Sequence, residues 1–450
     1  MKNSKISIIA AFLLSSIILF AYGNSLAYFS DSKKKSSIKV LPPESNISIS
    51  NFGHALEVKL SINQLNNQLT SSLPANSCVV GYSDQQSNMP FVSFKIDSLL
   101  IPGSSLKMIT AGIIFSVFNK EDTLDTSIYG QVNNGVIKNA ILTTSADPSF
   151  VTTDMPDLAR PDYLMNKYTH SFSDLALELK KKNVARISKI TIDNTWFEVL
   201  TSNPEWETKK IQVGALGALL VDEGYEASGV SANPQIYASS KLKEEFAVNG
   251  ITIDNIAFAA QAPSESDVST TNLVASIKSA TIEKLVSDML KTSNNIYAEQ
   301  LLIAAAHRAE GSVTQKSLFE FANKTINSLV KDAGDMKYLN ASGFSYNAKT
   351  TCEDEIEVVN TLMSKGTDLV ALTSKANEDG TLTKRFSDYK GKLQAKTGTL
   401  DGVTALIGRI DTISFALLVN GQFSDEQGHI YQEKTVDLLS SFPSVKDLKL

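Results

Sequence analysis

Ser104 and Lys107 stand three residues apart in IPGSSLKMITAGIIF (residues 101–115), where a Pro-Gly turn runs into an apolar helix. At that spacing two helical side chains share a face. The first turn of a helix carries unpaired backbone N–H groups and the positive end of its dipole, a setting that stabilises an oxyanion. A lysine takes a proton from a neighbouring serine only when uncharged, and burial or a nearby positive charge favours that form. Ser-x-x-Lys alone is unspecific, since it recurs at Ser30, Ser32, Ser36, Ser240, Ser328 and Ser387. Only Ser104 opens a long apolar helix, and taken by itself it reads equally well as an N-cap serine.

Two further patterns carry chemistry. Lys396-Thr397-Gly398-Thr399 is the one Lys-Thr-Gly in the chain and sits between apolar residues Leu393, Ala395 and Leu400, as on a strand. Gly398 removes a side chain where something must approach that strand closely. Lys396 adds positive charge, and hydroxyls beside it suit a carboxylate. Alone, the pattern is equally an edge-strand lysine before a bulge. Ser293-Asn294-Asn295 lies between two helical segments. Ser-x-Asn also occurs at Ser61, Ser231 and Ser345 and is often a helix cap. Its place after Ser104 and before Lys396, directly ahead of an apolar helix, sets it apart.

These groups need a sizeable scaffold. The chain has 450 residues with 42% hydrophobic content and a net charge of −6. That permits two or three domains with large cores. The basic blocks are Lys33–Lys35 and Lys180–Lys182, too few for a nucleic-acid partner. Lys2 and Lys5 precede an uncharged apolar run over 6–21 and small residues at Ser25 and Ala27. This predicts a signal peptide over 1–27, with an uncleaved anchor as the alternative and at most peripheral membrane association for the mature chain. A Ser-, Lys- and Asn-rich linker is expected over 28–54. Cys78 and Cys352 could pair in an oxidising compartment, but the sequence does not bring them together. His54, His170, His307 and His429 are scattered without metal-ligand spacing, so neither a metal nor a cofactor is expected.

Helical spacing is read at Ala55–Leu69 and strands at Cys78–Tyr82 and Phe91–Ile96. SIYGQVNNGVIKNAILTT predicts a hairpin turning at Asn-Asn-Gly. Short strands then alternate with helices, and an inserted α+β region is expected over 121–269, ending at the polar run PSESDVSTTN. Helices return at Thr281–Lys291 and Ile296–His307, the latter apolar nearly all round and so buried. Three strands over 392–421 and a last helix near Gln427–Leu439 complete the chain.

The ordered set Ser-x-x-Lys, Ser-x-Asn, Lys-Thr-Gly matches that of serine β-lactamases and penicillin-binding proteins. From Ala55 onward the chain resembles the D-alanyl-D-alanine carboxypeptidase/endopeptidase family, the low-molecular-mass class C penicillin-binding proteins. IPGSSLKMITA, SNNIYAEQLL, ITIDNTWFE, LQAKTGTLDGV and Ser342-Gly343-Phe344-Ser345 carry the resemblance, together with LTTSADPSF. In the last of these Ala146 replaces the family's glycine. Tyr346 stands where the family usually has arginine, and VGALGALLVDEG lacks its usual proline and asparagine.

The resemblance implies an α+β fold. Its catalytic domain, over 55–120 and 270–450, has a five-stranded antiparallel sheet with flanking helices and is interrupted by the insertion. It implies a periplasmic serine D,D-peptidase acting on peptidoglycan stem peptides, with β-lactams as acylating inhibitors. Ser104 would be the nucleophile and Lys107 its proton acceptor. Ser293 would relay a proton to the leaving amine, and Asn295 would orient Lys107 and substrate. Lys396 would supply positive field, Thr397 and Thr399 would hold the substrate carboxylate beside Gly398, and the N–H groups of Ser104 and Thr399 would form the oxyanion hole. Two alternatives stay open: a β-lactamase-like hydrolase on the same core, and a catalytically inactive wall-binding homologue.

Overall fold

The computed structural model describes residues 62–83, 90–152, 166–206, 214–331 and 333–441. The signal peptide, the linker and the first residues of the helix expected from Ala55 lie outside them. Helix α1 covers 62–72. Strands β1 (Ser77–Ser83) and β2 (Val92–Phe94) follow where the apolar runs predict them. A 3₁₀ turn, Gly103–Leu106, then leads into α2 (Lys107–Phe115). Ser104 therefore lies on this tighter turn rather than in the first turn of the α-helix. Gly103, at φ 55°, lets the chain bend into it.

The middle of the chain builds a second sheet. Its strands are β3 (Asp125–Tyr129), β4 (Val132–Asn133) and β5 (Val136–Thr143). Asn134 at φ 49° and Gly135 at φ 77° close the β4–β5 hairpin, the conformations a two-residue turn demands. Next come α3 (Phe172–Lys181), β6 (Arg186–Ile192) and β7 (Phe197–Glu198). Strands β8 (Tyr225–Glu226) and β9 (Gly229–Val230) form a small ribbon. Then follow α4 (Pro234–Val248), β10 (Thr252–Phe258) and β11 (Leu273–Lys278).

The order in this sheet is β10-β6-β5-β3-β11, with β6 parallel to both β5 and β10 and the β3 pairings antiparallel. Helices α3 and α4 are the crossovers that parallel neighbours require. Phe172, Leu175, Leu242 and Phe246 of those helices close a core with Ile187 and Ile190 of β6. Strand β11 lies beyond the expected boundary at residue 269 yet pairs with β3, so this sheet runs on to Lys278.

The remaining elements return to the first sheet. Helices α5 (Ile282–Thr292), α6 (Asn295–Glu310), α7 (Gln315–Leu329) and α8 (Cys352–Ser364) come first, with β12 (Val313–Thr314) pairing β7. Strands β13 (Ser374–Lys375), β14 (Leu393–Leu400), β15 (Val403–Ile410) and β16 (Ile413–Asn420) and helix α9 (Asp425–Ser440) end the described chain. The sheet runs β13-β14-β15-β16-β1-β2, antiparallel throughout. The two-residue β13 adds an edge pairing to the five strands the resemblance implies.

Side chains alternate across this sheet. Ala416 and Leu418 of β16 face the core made with α2 and α5–α8, and Phe415, Leu417 and Val419 face α1 and α9. Helix α6 is buried from Asn295 to Ala306, as its unbroken apolar run predicts. Cys78 and Cys352 form a disulfide with Cα atoms 5.9 Å apart, fastening β1 to the start of α8.

Candidate active site

In a 3₁₀ turn, residues three apart eclipse one another. Ser104 and Lys107 use that geometry: Lys107 Nζ lies 3.0 Å from Ser104 Oγ. The same nitrogen donates to Asn295 Oδ1 at 2.7 Å and to the Ser342 carbonyl at 2.7 Å. Lys107 is fully buried. Burial first, then the neighbouring Lys396, hold its ammonium well below the usual lysine range, and Glu299 opposes them. A neutral amine has two N–H bonds and one lone pair. Two of the three partners are carbonyl oxygens that only accept, so the lone pair of the neutral amine faces the Ser104 hydroxyl.

Ser293 links α5 to α6 in the left-handed conformation, φ 59°. Its Oγ accepts from Lys396 Nζ at 2.9 Å, and Lys396 also donates to the Thr397 carbonyl at 2.6 Å. Asn294 caps α6, its Oδ1 accepting from the Tyr297 N–H at 3.0 Å, which leaves Asn295 as the first residue of the helix. Burial pushes Lys396 down to about 7, with Glu355 pulling the other way.

Strand β14 lies against the Ser104 turn. A Cβ on Gly398 would come within 2.5 Å of the Pro102 oxygen and 3.0 Å of the Ser105 nitrogen. The close approach that a glycine there implies is thus made by the Ser104 turn itself. From the other side, a Cβ on Gly103 would meet the Thr399 nitrogen at 3.2 Å. Thr397 Oγ1 donates to Thr381 Oγ1 at 3.0 Å, while Thr399 is exposed. Ser104, Lys107 and Asn295 are in mutual contact through Lys107, Ser293 joins through Lys396, and β14 closes on the same turn. Among the described residues no group of three His, Cys, Asp or Glu side chains is placed to hold a metal ion.

Three contributors escape the sequence reading. The Ser342 carbonyl is one, since backbone acceptors leave no residue-type signal. Glu299, one turn along α6 from Asn295, is fully buried and accepts from the Trp206 indole N–H and the N–H groups of Ala341 and Ser342 at 3.0 to 3.1 Å. Burial raises its carboxyl above the usual range and those bonds oppose the rise. A glutamate inside IYAEQLL was the available clue. Glu355 of α8 is the third: its Oε1 lies 2.9 Å from Ser105 Oγ, and burial raises it to about 8. A neutral carboxyl donates to Ser105 Oγ, freeing that hydroxyl to donate to the Pro102 carbonyl at 3.0 Å. Glu355 stands in the acidic stretch EDEIE, where residue type alone does not single it out.

Comparison with known proteins places the chain in a family and a fold. The model of the D-Ala-D-Ala carboxypeptidase 3 (S13) family matches residues 63–226 and 221–441. Carboxypeptidase DacB of Mycolicibacterium smegmatis is 25% identical over 271 residues, which span 55% of this chain and 57% of that relative. The fold matches penicillin binding protein 4 from Haemophilus influenzae with a TM-score of 0.68 at 16% identity, over 83% of this chain and 98% of that one. It also matches a predatory peptidoglycan endopeptidase from Bdellovibrio bacteriovorus with a TM-score of 0.54 at 16% identity, over 81% and 91%.

Proposed function

The chain belongs to the D-Ala-D-Ala carboxypeptidase 3 (S13) family, and from that premise we propose that it is a serine D,D-peptidase cutting peptidoglycan stem peptides through an acyl-enzyme on Ser104. One observation carries the reading: a fully buried lysine with two carbonyl acceptors and its third contact on a serine hydroxyl.

Neutral Lys107 takes the Ser104 proton as Oγ attacks the carbonyl carbon of the penultimate D-alanine. The carbonyl oxygen becomes an oxyanion against the N–H groups of Ser104 and Thr399. Removing one such donor slows acyl transfer by about 10² to 10³. Ser293, bonded to Lys396, passes its proton to the departing amine and takes in exchange the proton that Lys107 removed from Ser104, so Lys107 is neutral again when the C–N bond has broken to leave an ester on Ser104 and free D-alanine or the released cross-link partner. Water then attacks the ester as Lys107 takes its proton, and Lys107 returns that proton to Ser104 Oγ as the acid product leaves. Thr397 and Thr399 bind the substrate's terminal carboxylate beside Lys396. That carboxylate raises the Lys396 pKa from about 7 and keeps it charged. A β-lactam, whose carboxylate and strained amide mimic the substrate, acylates Ser104 by the same steps.

On this reading residues 55–120 and 270–450 are the catalytic domain and 121–269 the insertion; the separate sheet β10-β6-β5-β3-β11 supports the division, with β11 as the exception. The Cys78–Cys352 disulfide supports a location outside the cytoplasm, where such bonds persist. The leader-like N-terminus supports export to the periplasm. The decisive experiment labels the purified chain with fluorescent penicillin and maps the modified peptide, then follows D-alanine release from a pentapeptide by mass spectrometry. Label on Ser104 together with release is expected. Label elsewhere, or none, removes the reading.

A further inference from the structure

The catalytic pair Ser293 and Asn295 is separated by one residue, Asn294, and that residue is held from the inserted region. Asn294 Nδ2 donates to Glu223 Oε1 at 2.7 Å, and the same oxygen accepts from Asn166 Nδ2 at 2.8 Å. Asn294 Nδ2 also reaches Asn166 Oδ1 at 3.3 Å. The orientation of the Asn294 amide is set by chemistry. Its oxygen must face the Tyr297 N–H that it caps, so its nitrogen must face Glu223.

Glu223 is buried at 3% exposure in a backbone conformation that ordinary residues avoid. Asp222, Glu223 and Gly224 have φ of 51°, 54° and 75° in succession. Non-glycine residues held there cost on the order of 1 kcal/mol or more each, and persist only where the surroundings impose them. The surroundings here belong to the insertion. The Asp222 carboxyl accepts from the Thr152 N–H and hydroxyl, both at 2.7 Å, and from the Tyr237 hydroxyl at 3.3 Å. The Asp222 N–H donates to the Phe150 carbonyl at 2.9 Å. A second grip lies further along α6. Gln300 accepts from the Gly217 N–H at 3.2 Å and donates to the carbonyls of Gly217 at 2.9 Å and Ala146 at 3.3 Å.

We propose that Glu223 is a positioning residue for catalysis, through which the inserted region sets the Ser293-Asn294-Asn295 turn against Lys107 and Lys396. It touches neither substrate nor the reacting atoms. The insertion is on this account a working part of the active site rather than an appended wall-binding module. The inference rests on the acyl-enzyme reading above.

The test uses the full chain and fluorescent penicillin, separating the binding constant from the first-order acylation rate. Asn294→Asp keeps the helix cap, because Asp caps as well as Asn, but sets carboxyl oxygen against carboxyl oxygen at Glu223. Its acylation rate is expected to fall about 10- to 100-fold, as sub-ångström misplacement of catalytic groups does, with the binding constant little changed. Glu223→Gln/Asn294→Asp restores a donor and an acceptor and is expected to recover to within about threefold of the parent. Glu223→Ala, which leaves the cap untouched, should slow acylation as Asn294→Asp does, with thermal unfolding confirming a folded chain. Acylation at the parental rate in folded Glu223→Ala or Asn294→Asp overturns the proposal, as does a double variant no faster than Asn294→Asp. An unlabelled parent protein would instead sink the acyl-enzyme reading, so the two failures are distinct.

Discussion

Glu299 accepts from the backbone N–H of Ser342 at 3.1 Å, and the carbonyl of that same Ser342 accepts from Lys107 at 2.7 Å. A buried carboxyl thus holds the backbone of Ser342, whose carbonyl, in the next peptide unit, orients the proposed base. Glu299→Ala would leave three buried N–H groups without a partner, those of Trp206, Ala341 and Ser342. Each costs roughly 1–3 kcal/mol when stranded, less whatever water recovers. We expect a loss of about 3 kcal/mol or more in urea unfolding and slowed acylation. Glu299→Gln, which still accepts, should lose clearly less. Equal losses in both variants would show that the charge of Glu299 matters rather than its acceptor geometry.

The state of Lys107 should be readable in a pH profile. Its pKa lies well below the ordinary lysine value of 10.5, chiefly through burial. The acylation rate should therefore rise with pH as the amine loses its proton and level off well before pH 10.5. Lys107→Arg keeps a permanent charge and should cost about 10² to 10⁴ in rate, the usual span of a lost general base. A Lys107→Arg protein acylating normally would exclude Lys107 as the base.

Glu355 makes stability depend on pH in a calculable direction. Its carboxyl ionises near 4.5 when unfolded and at about 8 in the fold. Between those values the folded chain holds a proton that the unfolded chain releases, so raising pH favours unfolding. The contribution is whole below about 4.5 and is lost as pH climbs through about 8. Glu355→Gln should remove this slope, and the parent should lose stability relative to it across that window. Chemical unfolding at several pH values measures the difference. A gap that stays constant with pH would mean Glu355 is ionised in the fold.

Gly398→Ala tests the seating of β14. The added methyl would meet the Pro102 oxygen at 2.5 Å and the Ser105 nitrogen at 3.0 Å, both backbone atoms that cannot swing aside. The strand and the Ser104 turn must part by several tenths of an ångström. Acylation is expected to fall at least about tenfold while the rest of the fold persists, since near-attack geometry is sensitive to such shifts. Normal acylation would show that the strand has slack.

What was readable in the chain divides by how local its cause is. Ser104 with Lys107, and Lys396 with Gly398, are set by a turn and a strand, so residue type and spacing expose them. The Asn134-Gly135 hairpin was legible for the same reason. Glu355 and Glu223 were not, because their work depends on which distant surface covers them: Ser105 in one case, Asn294 in the other. Both stand in acidic stretches, EDEIE and LVDEG, where residue type and spacing do not name the distant partner. The inserted sheet's end was misplaced because the polar run before residue 273 is a surface loop within it, and β11 pairs back to β3 across the chain.

Strand order carries a consequence for how the protein comes into being. β1, the first strand of the sheet in chain order, lies between β2 and β16, and β16 is made more than three hundred residues later. Until β16 arrives, one edge of β1 has no neighbour, and β14, which must seat the Ser104 turn, has only just been made. A ribosome reading in one direction therefore supplies the last strands of the sheet and the strand that seats the Ser104 turn almost together. A chain cut short before β14 lacks Lys396 and Gly398, and so the strand against which the Ser104 turn is seated.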